Sequence, residues 1–485
     1  AILDLSSAGI QPMSYANERY WMTFNGEIYN FIEIREELQH KGYTFRGNSD
    51  SEVIMAAYCE WKEKCVDRFN GMWTFAIWDR QEKSLFLSRD RFGVKPLYYT
   101  EFPDGGFAFA SEMKALLPLL EKVEPNKEMF DRYFADNHYE SQPECLIKGI
   151  KRFPAGSYAW IRNGKTEITR FWNTLDHLIK VPDTYEEQVE QFRELFLDAC
   201  KIRMRSDVTL GTGLSGGLDS SATICAMSYI SRNCADERAN KDWQHAYVAC
   251  FPGTDLDETK YAKQVTDYLG IRHTFLTIDD AVPEREFLRQ LYCFEELWGN
   301  PQVPMMELYK KERELGTTVS LDGHAADELF AGYGFDVLKA YPDAKGKAEI
   351  DQITMAYLNQ RSEMGYDPSS AEFKRQRNKL YRDYMTKYYA KKLLGRADVS
   401  SAYADHPNWK KLDNLNKVLF VSTHETILPT LLRNYDRDSM ASGVEIRMPF
   451  LDYRIVEFAF SIGWKSKLHG GFSKSIVRDA CADFM

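Results

Sequence analysis

Up to about residue 175, short β-type runs of apolar residues crowd the chain. They are 20–30 (YWMTFNGEIYN), 71–79 (GMWTFAIWD), 84–90 (SLFLSRD), 96–102 (PLYYTEF) and 106–112 (GFAFASE). Turn-forming residues fall within and between them: Asn25-Gly26, the stretch 79–83, and Asp104-Gly105-Gly106. Two segments break the pattern with helical periodicity, 31–42 (FIEIREELQHKG) and 49–65 (SDSEVIMAAYCEWKEKC). The second opens on Ser49, a residue suited to cap a helix. With 156–172 (GSYAWIRNGKTEITRFW) closing the series, the pattern predicts a largely antiparallel α+β domain.

From 181–204 (VPDTYEEQVEQFRELFLDACKIRM) the texture changes, and Pro182-Asp183-Thr184 reads as the linker. Strand-like runs at 208–214, 245–251, 273–278 and 317–323 alternate with helical ones, the βαβ rhythm of a parallel sheet. Beyond about 336 the chain reads as mainly helical, without internal repeats. Two domains follow, 1–183 and 184–485.

Composition narrows the class. Apolar residues are 44% and charged residues 28% of 485, the balance of a globular chain with a large core. A net charge of −10 argues against nucleic acid as partner, because phosphates repel such a surface. Nine scattered cysteines form no CxxC pair, so neither a zinc site nor a disulfide framework is expected and a reducing, cytoplasmic setting is. No apolar run has the length of a membrane span.

The chemistry concentrates at 208–229 (VTLGTGLSGGLDSSATICAMSY). A β-branched run feeds two glycines and a helix-forming stretch, which predicts an anion cradle at a helix N-terminus. Ser215, Ser220 and Ser221 can add hydroxyl donors. No Gly-Lys-Ser/Thr follows, so this is not a Walker loop. Asp219 within such a loop calls for a bridging cation, Mg²⁺ between carboxylate and nucleotide phosphates. The bland alternative is a glycine turn with Asp219 as its cap. A second acidic cluster, Asp322, Asp327 and Glu328, follows the run at 318–321 and could equally cap a helix. Asn25-Gly26, taken alone, reads as a hairpin turn.

SGGLDS resembles the loop of the PP-loop ATP pyrophosphatases. NGEIYN (25–30), RDRFGVKPLYY (89–99), FAFASEMKALL (107–117), LSGGLDSS (214–221), DGHAADELFAGY (322–333) and DRDSMASGVEIRMPFLDYR (436–454) together resemble the glutamine-hydrolysing asparagine synthetases, in their order and over essentially the whole chain. The resemblance implies an Ntn-type αββα glutaminase sandwich, lacking its N-terminal segment here, followed by an α/β synthetase domain with a parallel sheet and a helical C-terminal part. It also implies glutamine, ATP with Mg²⁺, and aspartate or another carboxylate as reactants. The carboxylate becomes an acyl-AMP, and ammonia from glutamine displaces AMP.

Residue by residue, the resemblance implies that Asn25 and Gly26 form the oxyanion hole and that Glu27 and Asp50 bind the glutamine α-amino group. Leu214, Ser215, Gly216, Gly217, Asp219, Ser220, Val248 and Gly323 would bind ATP, with Asp219 and Asp327 holding the metal. Lys474 in GGFSKSIVRD would neutralise phosphate charge; its plain alternative is a solvated helix lysine. Arg433, Asp436, Glu445 and Arg447 are open between substrate contacts and structural ion pairs.

There are two departures. The family nucleophile is an N-terminal cysteine ahead of Ala1; with Asn25, Gly26 and Asp50 present, that segment is expected in the native chain. His324 stands where the family usually has Glu or Gln, suited to accept the proton of attacking ammonia or to mark another acceptor. Competing readings are intramolecular closure as in β-lactam synthetase relatives, a tRNA-modifying PP-loop enzyme, and a non-catalytic relative. A homodimer is also open.

Overall fold

The computed structural model describes residues 2–136, 140, 142–234, 236, 238–278, 282–296, 303–360, 366–396 and 399–485. The β-type runs of the first third become β1 (Met13–Tyr15), β2 (Tyr20–Ile28), β3 (Gly71–Asp79), β4 (Ser84–Arg89), β5 (Tyr98–Glu101), β6 (Phe107–Ala110), β7 (Lys151–Arg152), β8 (Ser157–Arg162) and β9 (Lys165–Arg170). They form two antiparallel sheets, ordered β1-β2-β3-β4-β8-β9 and β6-β5-β7.

Period-two alternation sorts the side chains into layers. Phe75 and Ile77 join Ile34, Leu38, Val53 and Ile54 of the helices Phe31–His40 and Asp50–Trp61 in one core. Ala76, between them in β3, joins Leu87, Tyr99, Phe153 and Ala159 in another, between the sheets. Tyr98 packs outward against Met113 and Leu116, so short 3-10 turns cover the far side of the smaller sheet. Ser49 caps the second helix by accepting the Glu52 N–H.

The Asn25-Gly26 turn is not there. Both residues lie inside β2, paired with Thr74 and Trp73 of β3. Gly26 has φ +140°, and a Cβ on it would meet the Met72 carbonyl oxygen at 2.0 Å. The glycine serves close backbone approach, the other use of glycine in a strand. The same dipeptide does turn the chain at Asn163-Gly164, with φ +50° and +70°, between β8 and β9. There the flanking strands are adjacent antiparallel partners and the left-handed pair matches their twist.

The second half supplies a parallel sheet of β10 (Leu210–Gly213), β11 (His245–Cys250), β12 (Arg272–Thr277), β13 (Val319–Leu321) and β14 (Glu445–Arg447), ordered β12-β11-β10-β13-β14. β14 has no counterpart among the sequence-predicted strands, since three residues with two charges carry no strand pattern. Order reverses at β10, and open α/β sheets bind ligands beyond the carboxyl ends of the strands at such a reversal.

The chain divides into two units. One comprises 1–173, 199–322 and 429–452 and holds the fourteen strands named above. The other comprises 174–198, 323–428 and 453–485 and is helical. Phe192 packs edge-on against Phe330 and tilted against Phe458 in its core, and Phe420 packs edge-on against Phe460. Among the described residues no helix is long and apolar enough to cross a membrane.

Candidate functional site

Residues 214–217 leave the end of β10 as a tight loop. The Leu214 N–H donates to the Tyr247 carbonyl at 2.8 Å, which sets Leu214 beside β11 and next to Val248; both side chains are buried. Ser215 Oγ accepts the Gly217 N–H at 3.1 Å and lies 3.1 Å from Ser220 Oγ, while the Ser215 N–H reaches Ser220 Oγ at 3.3 Å. The two hydroxyls are thus held together at the mouth of the helix Leu218–Asn233. Gly216 has φ +87°, and a Cβ there would lie 2.4 Å from the Ala262 nitrogen and 2.7 Å from Tyr261 Cβ. Only glycine fits. Two sequence readings need correction. Gly217, not Asp219, is the cap, and Asp219 stands second in the helix, in the first turn. Ser221 is buried, and the hydroxyl contacts of the loop run between Ser215 and Ser220.

Asp322, at the end of β13, braces the neighbouring strand. Its carboxylate accepts the Gly213 N–H at 3.0 Å, the Tyr309 hydroxyl at 2.8 Å and the Ser320 hydroxyl at 2.7 Å. Three donors on a buried carboxylate make it an architectural group, and it leaves the predicted metal set to Asp219 and Asp327.

In the helical unit, Gly323 and His324 lead into the short helix Ala326–Phe330, which carries Asp327. His324 is half-buried. Lys474 Nζ meets Asp327 Oδ1 at 2.6 Å, with only 12% of the lysine side chain exposed. The solvated-lysine alternative is therefore overturned. Three non-glycine residues here are left-handed: Ala325 (φ +76°) and Ala331 (+61°), bracketing that helix, and Lys474 itself (+53°). Such conformations each cost about 1–2 kcal/mol and gather where a site needs fixed geometry. Gly332 completes the clamp, since a Cβ there would strike Asp327 Oδ1 and Lys474 Cε. Glu328 is buried, its carboxyl raised above the usual range by burial, and accepts the Tyr333 hydroxyl at 2.5 Å.

In the antiparallel part, Asn25 Nδ2 donates to Ser111 Oγ at 3.2 Å. Glu27 and Asp50 are both buried; Asp50 accepts the Ile28 N–H at 2.9 Å. Burial chiefly, together with the nearby Asp50 charge, pushes the Glu27 carboxyl well above its usual range. Burial pushes Asp50 up to about 6, with Glu445 adding to the shift.

The four residues left open fall out as buried ion pairs. Arg433 bonds Glu296 and lies 3.0 Å from Glu140. Asp436 takes Lys95 Nζ at 3.2 Å, and Arg447 pairs with Glu445 at 3.0 Å and Glu27 at 3.4 Å. Lys95 was missed from sequence, although RDRFGVKP contained the signal: three cations in a segment flanked by strands. Asp90 gathers the N–H groups of Trp73, Phe92, Val94 and Lys95, while Arg89 donates to the carbonyls of Gly93, Lys95 and Phe153. The motif builds a rigid loop that presents Lys95.

Among the described residues no three His, Cys, Asp or Glu side chains converge as a metal cage. Mg²⁺ does not require one. It keeps waters and takes one or two carboxylates plus substrate phosphates, and Asp219 in one unit and Asp327 in the other each offer the hard carboxylate oxygen that this ion takes.

Residues 1–172 match a glutamine amidotransferase domain family and residues 191–485 match asparagine synthase. The chain is 30% identical to asparagine synthetase [glutamine-hydrolyzing] 1 of Bacillus subtilis, over 99% of this chain and 76% of that protein. It is 31% identical to asparagine synthetase [glutamine-hydrolyzing] 3 of the same organism, with the same coverage. Asparagine synthetase B [glutamine-hydrolyzing] of Escherichia coli is 30% identical over 69% of this chain and 55% of that protein. A glycine-locked loop at the switch point of a parallel sheet, following an antiparallel domain that matches the amidotransferases, thus has its sequence counterpart: the chain belongs to the asparagine synthase family.

Proposed function

We propose that this chain makes asparagine from aspartate, glutamine and ATP, releasing AMP and pyrophosphate. The observation that carries the reading is the loop at Ser215–Gly217, closed to any side chain at Gly216 and lacking a Walker lysine. Such a loop suits a pyrophosphate held as leaving group, with the α-phosphorus open to an aspartate carboxylate oxygen. Leu214, Val248 and Gly323 would contact the nucleotide. Bound Mg²⁺, on Asp219 and Asp327, would neutralise phosphate charge. Lys474, aimed by Asp327, would add a fixed cation where negative charge develops, the placement that lowers such barriers most. His324 would take the proton from ammonia as the nitrogen bonds the acyl carbon and AMP leaves.

In the glutaminase part, the Asn25 amide and the Gly26 N–H would stabilise the oxyanion, while Glu27 and Asp50 receive the glutamine ammonium. We place the division between the two parts at 183/184, in the interval between the two family matches. Nine free cysteines suit a reducing, cytoplasmic setting.

The test is product analysis on the full native chain. AMP, pyrophosphate and asparagine should form in equal amounts from aspartate, ATP, Mg²⁺ and ammonia. Release of ADP, or amide formed only from a carboxylate other than aspartate, would overturn the assignment.

A further inference from the structure

Arg447 lies on β14, the edge of the parallel sheet, yet its guanidinium reaches into the glutaminase part. It is fully buried. Nε donates to Glu445 Oε1 at 3.0 Å, and Nη1 to the carbonyls of Arg203 at 2.9 Å and Arg205 at 2.6 Å. Three bonds fix the planar fork, so the direction of the remaining nitrogen is set. That nitrogen, Nη2, lies 3.4 Å from Glu27 Oε1, an ion pair without a hydrogen bond.

Glu27 shows the complement. Its Oε2 is buried and has no hydrogen-bond partner among the described residues. A buried carboxylate oxygen without a partner is costly unless a ligand completes it. The charge balance around it points to the sign of that ligand. Glu27, Asp50 and Glu445 face one another across β2, the helix Asp50–Trp61 and β14, with Lys95 and Arg447 among them; Asp436, on the helix Ile427–Met440, shares Lys95 and also faces Arg89 and Arg437. Around Glu27 itself three acids, Glu27, Asp50 and Glu445, face two cations, and one of these, Lys95, is shared with Asp436, which leaves the cluster short of positive charge. Arg447 faces one oxygen of Glu27 and leaves the other open to a cation.

We infer that Arg447 is a positioning residue for the glutaminase: from the synthetase sheet it orients Glu27 so that the free oxygen faces the α-ammonium of glutamine. The inference rests on the proposed role of Glu27 and extends it to a residue outside the glutaminase sequence. Binding of glutamine then depends on an intact β14. Removing Arg447 deprives two neighbouring buried acids of their nearest cation; one takes up a proton, and the attraction for ammonium falls.

The experiment compares wild type, Arg447→Met and Arg447→Lys of the full native chain, by steady-state kinetics with glutamine and separately with ammonia. In Arg447→Met, KM for glutamine should rise at least tenfold with kcat little changed. Ammonia-dependent synthesis should stay within twofold. Arg447→Lys should recover part of the loss, since it keeps the charge without the three fixing bonds. Glu27→Gln combined with Arg447→Met should be no worse than Glu27→Gln alone, because both act on one contact. An unchanged KM for glutamine in an Arg447→Met enzyme active with ammonia overturns the inference. So does parallel loss of both activities in Arg447→Lys, the variant that carries the test if Arg447→Met does not fold. Failure of the functional reading looks different: wild type itself is then inactive with glutamine and ammonia alike.

Discussion

The loop at Gly216 has no room for a side chain. Alanine there meets two separate penalties. Its φ of +87° lies in the left-handed region, which costs an L-residue about 1–2 kcal/mol. Its Cβ would also sit 2.4 Å from the Ala262 nitrogen and 2.8 Å from the Tyr261 carbonyl carbon, against backbone that cannot rotate away. Overpacking of that kind typically costs a further ~1–3 kcal/mol. The total is about 2–5 kcal/mol, released most cheaply by shifting the loop. A displacement near 1 Å commonly costs about a hundredfold in rate. Gly253→Ala is the matched control: φ is +81°, but nothing lies within 4 Å of the added carbon. It carries the strain without the collision. ATP–pyrophosphate exchange with aspartate should therefore drop about a hundredfold in Gly216→Ala and less than threefold in Gly253→Ala. Glutamine hydrolysis should hold within twofold in both. If the two variants exchange pyrophosphate at similar rates, the argument that this loop must meet the Tyr261–Ala262 backbone is wrong.

Two further outcomes concern protons. Asp50, held at about 6, must be ionised to attract an ammonium, so kcat/KM for glutamine should fall as pH drops through about 6, and Asp50→Asn should abolish that limb. The stability sign is opposite: a carboxyl raised above its unfolded value of 3.8 stabilises below that value, and the gain is lost as pH rises through about 6. Asp50→Asn should accordingly melt higher than wild type at pH 7, with the difference vanishing near pH 4. Lys467 is fully buried, donates to Asn416 Oδ1 at 2.6 Å, and is pushed down to about 7 by burial. Because the unfolded chain binds the extra proton between about 7 and 10.5, wild-type stability should climb over that range. Lys467→Met should flatten the climb in thermal melts; a slope unchanged by the substitution would refute the assignment to Lys467.

Much of the molecule was legible from the chain alone. Alternation gave the antiparallel strands, because a strand with one face in a core must repeat every second residue, as Phe75, Ala76 and Ile77 do on alternate sides of β3. The glycines and serines at 215–220 marked a tight loop between strand and helix, since local backbone freedom is itself a property of those residues. What sequence could not decide was what lies opposite. Asn-Gly turns the chain at 163–164 and runs straight at 25–26, and the difference is the Met72 carbonyl pressed against Gly26 from another strand. Lys474 looks like any helix lysine until Asp327 is set against it at 2.6 Å. β14 has no strand signature of its own and exists because β13 offers it an edge. The charges at 433–447 found their partners at Glu296, Lys95 and Glu27, far away in sequence. Periodicity and turn chemistry are local and survive in one dimension; ion-pair partners, close approaches and strand neighbours are set by distances in space, and only the folded chain assigns them.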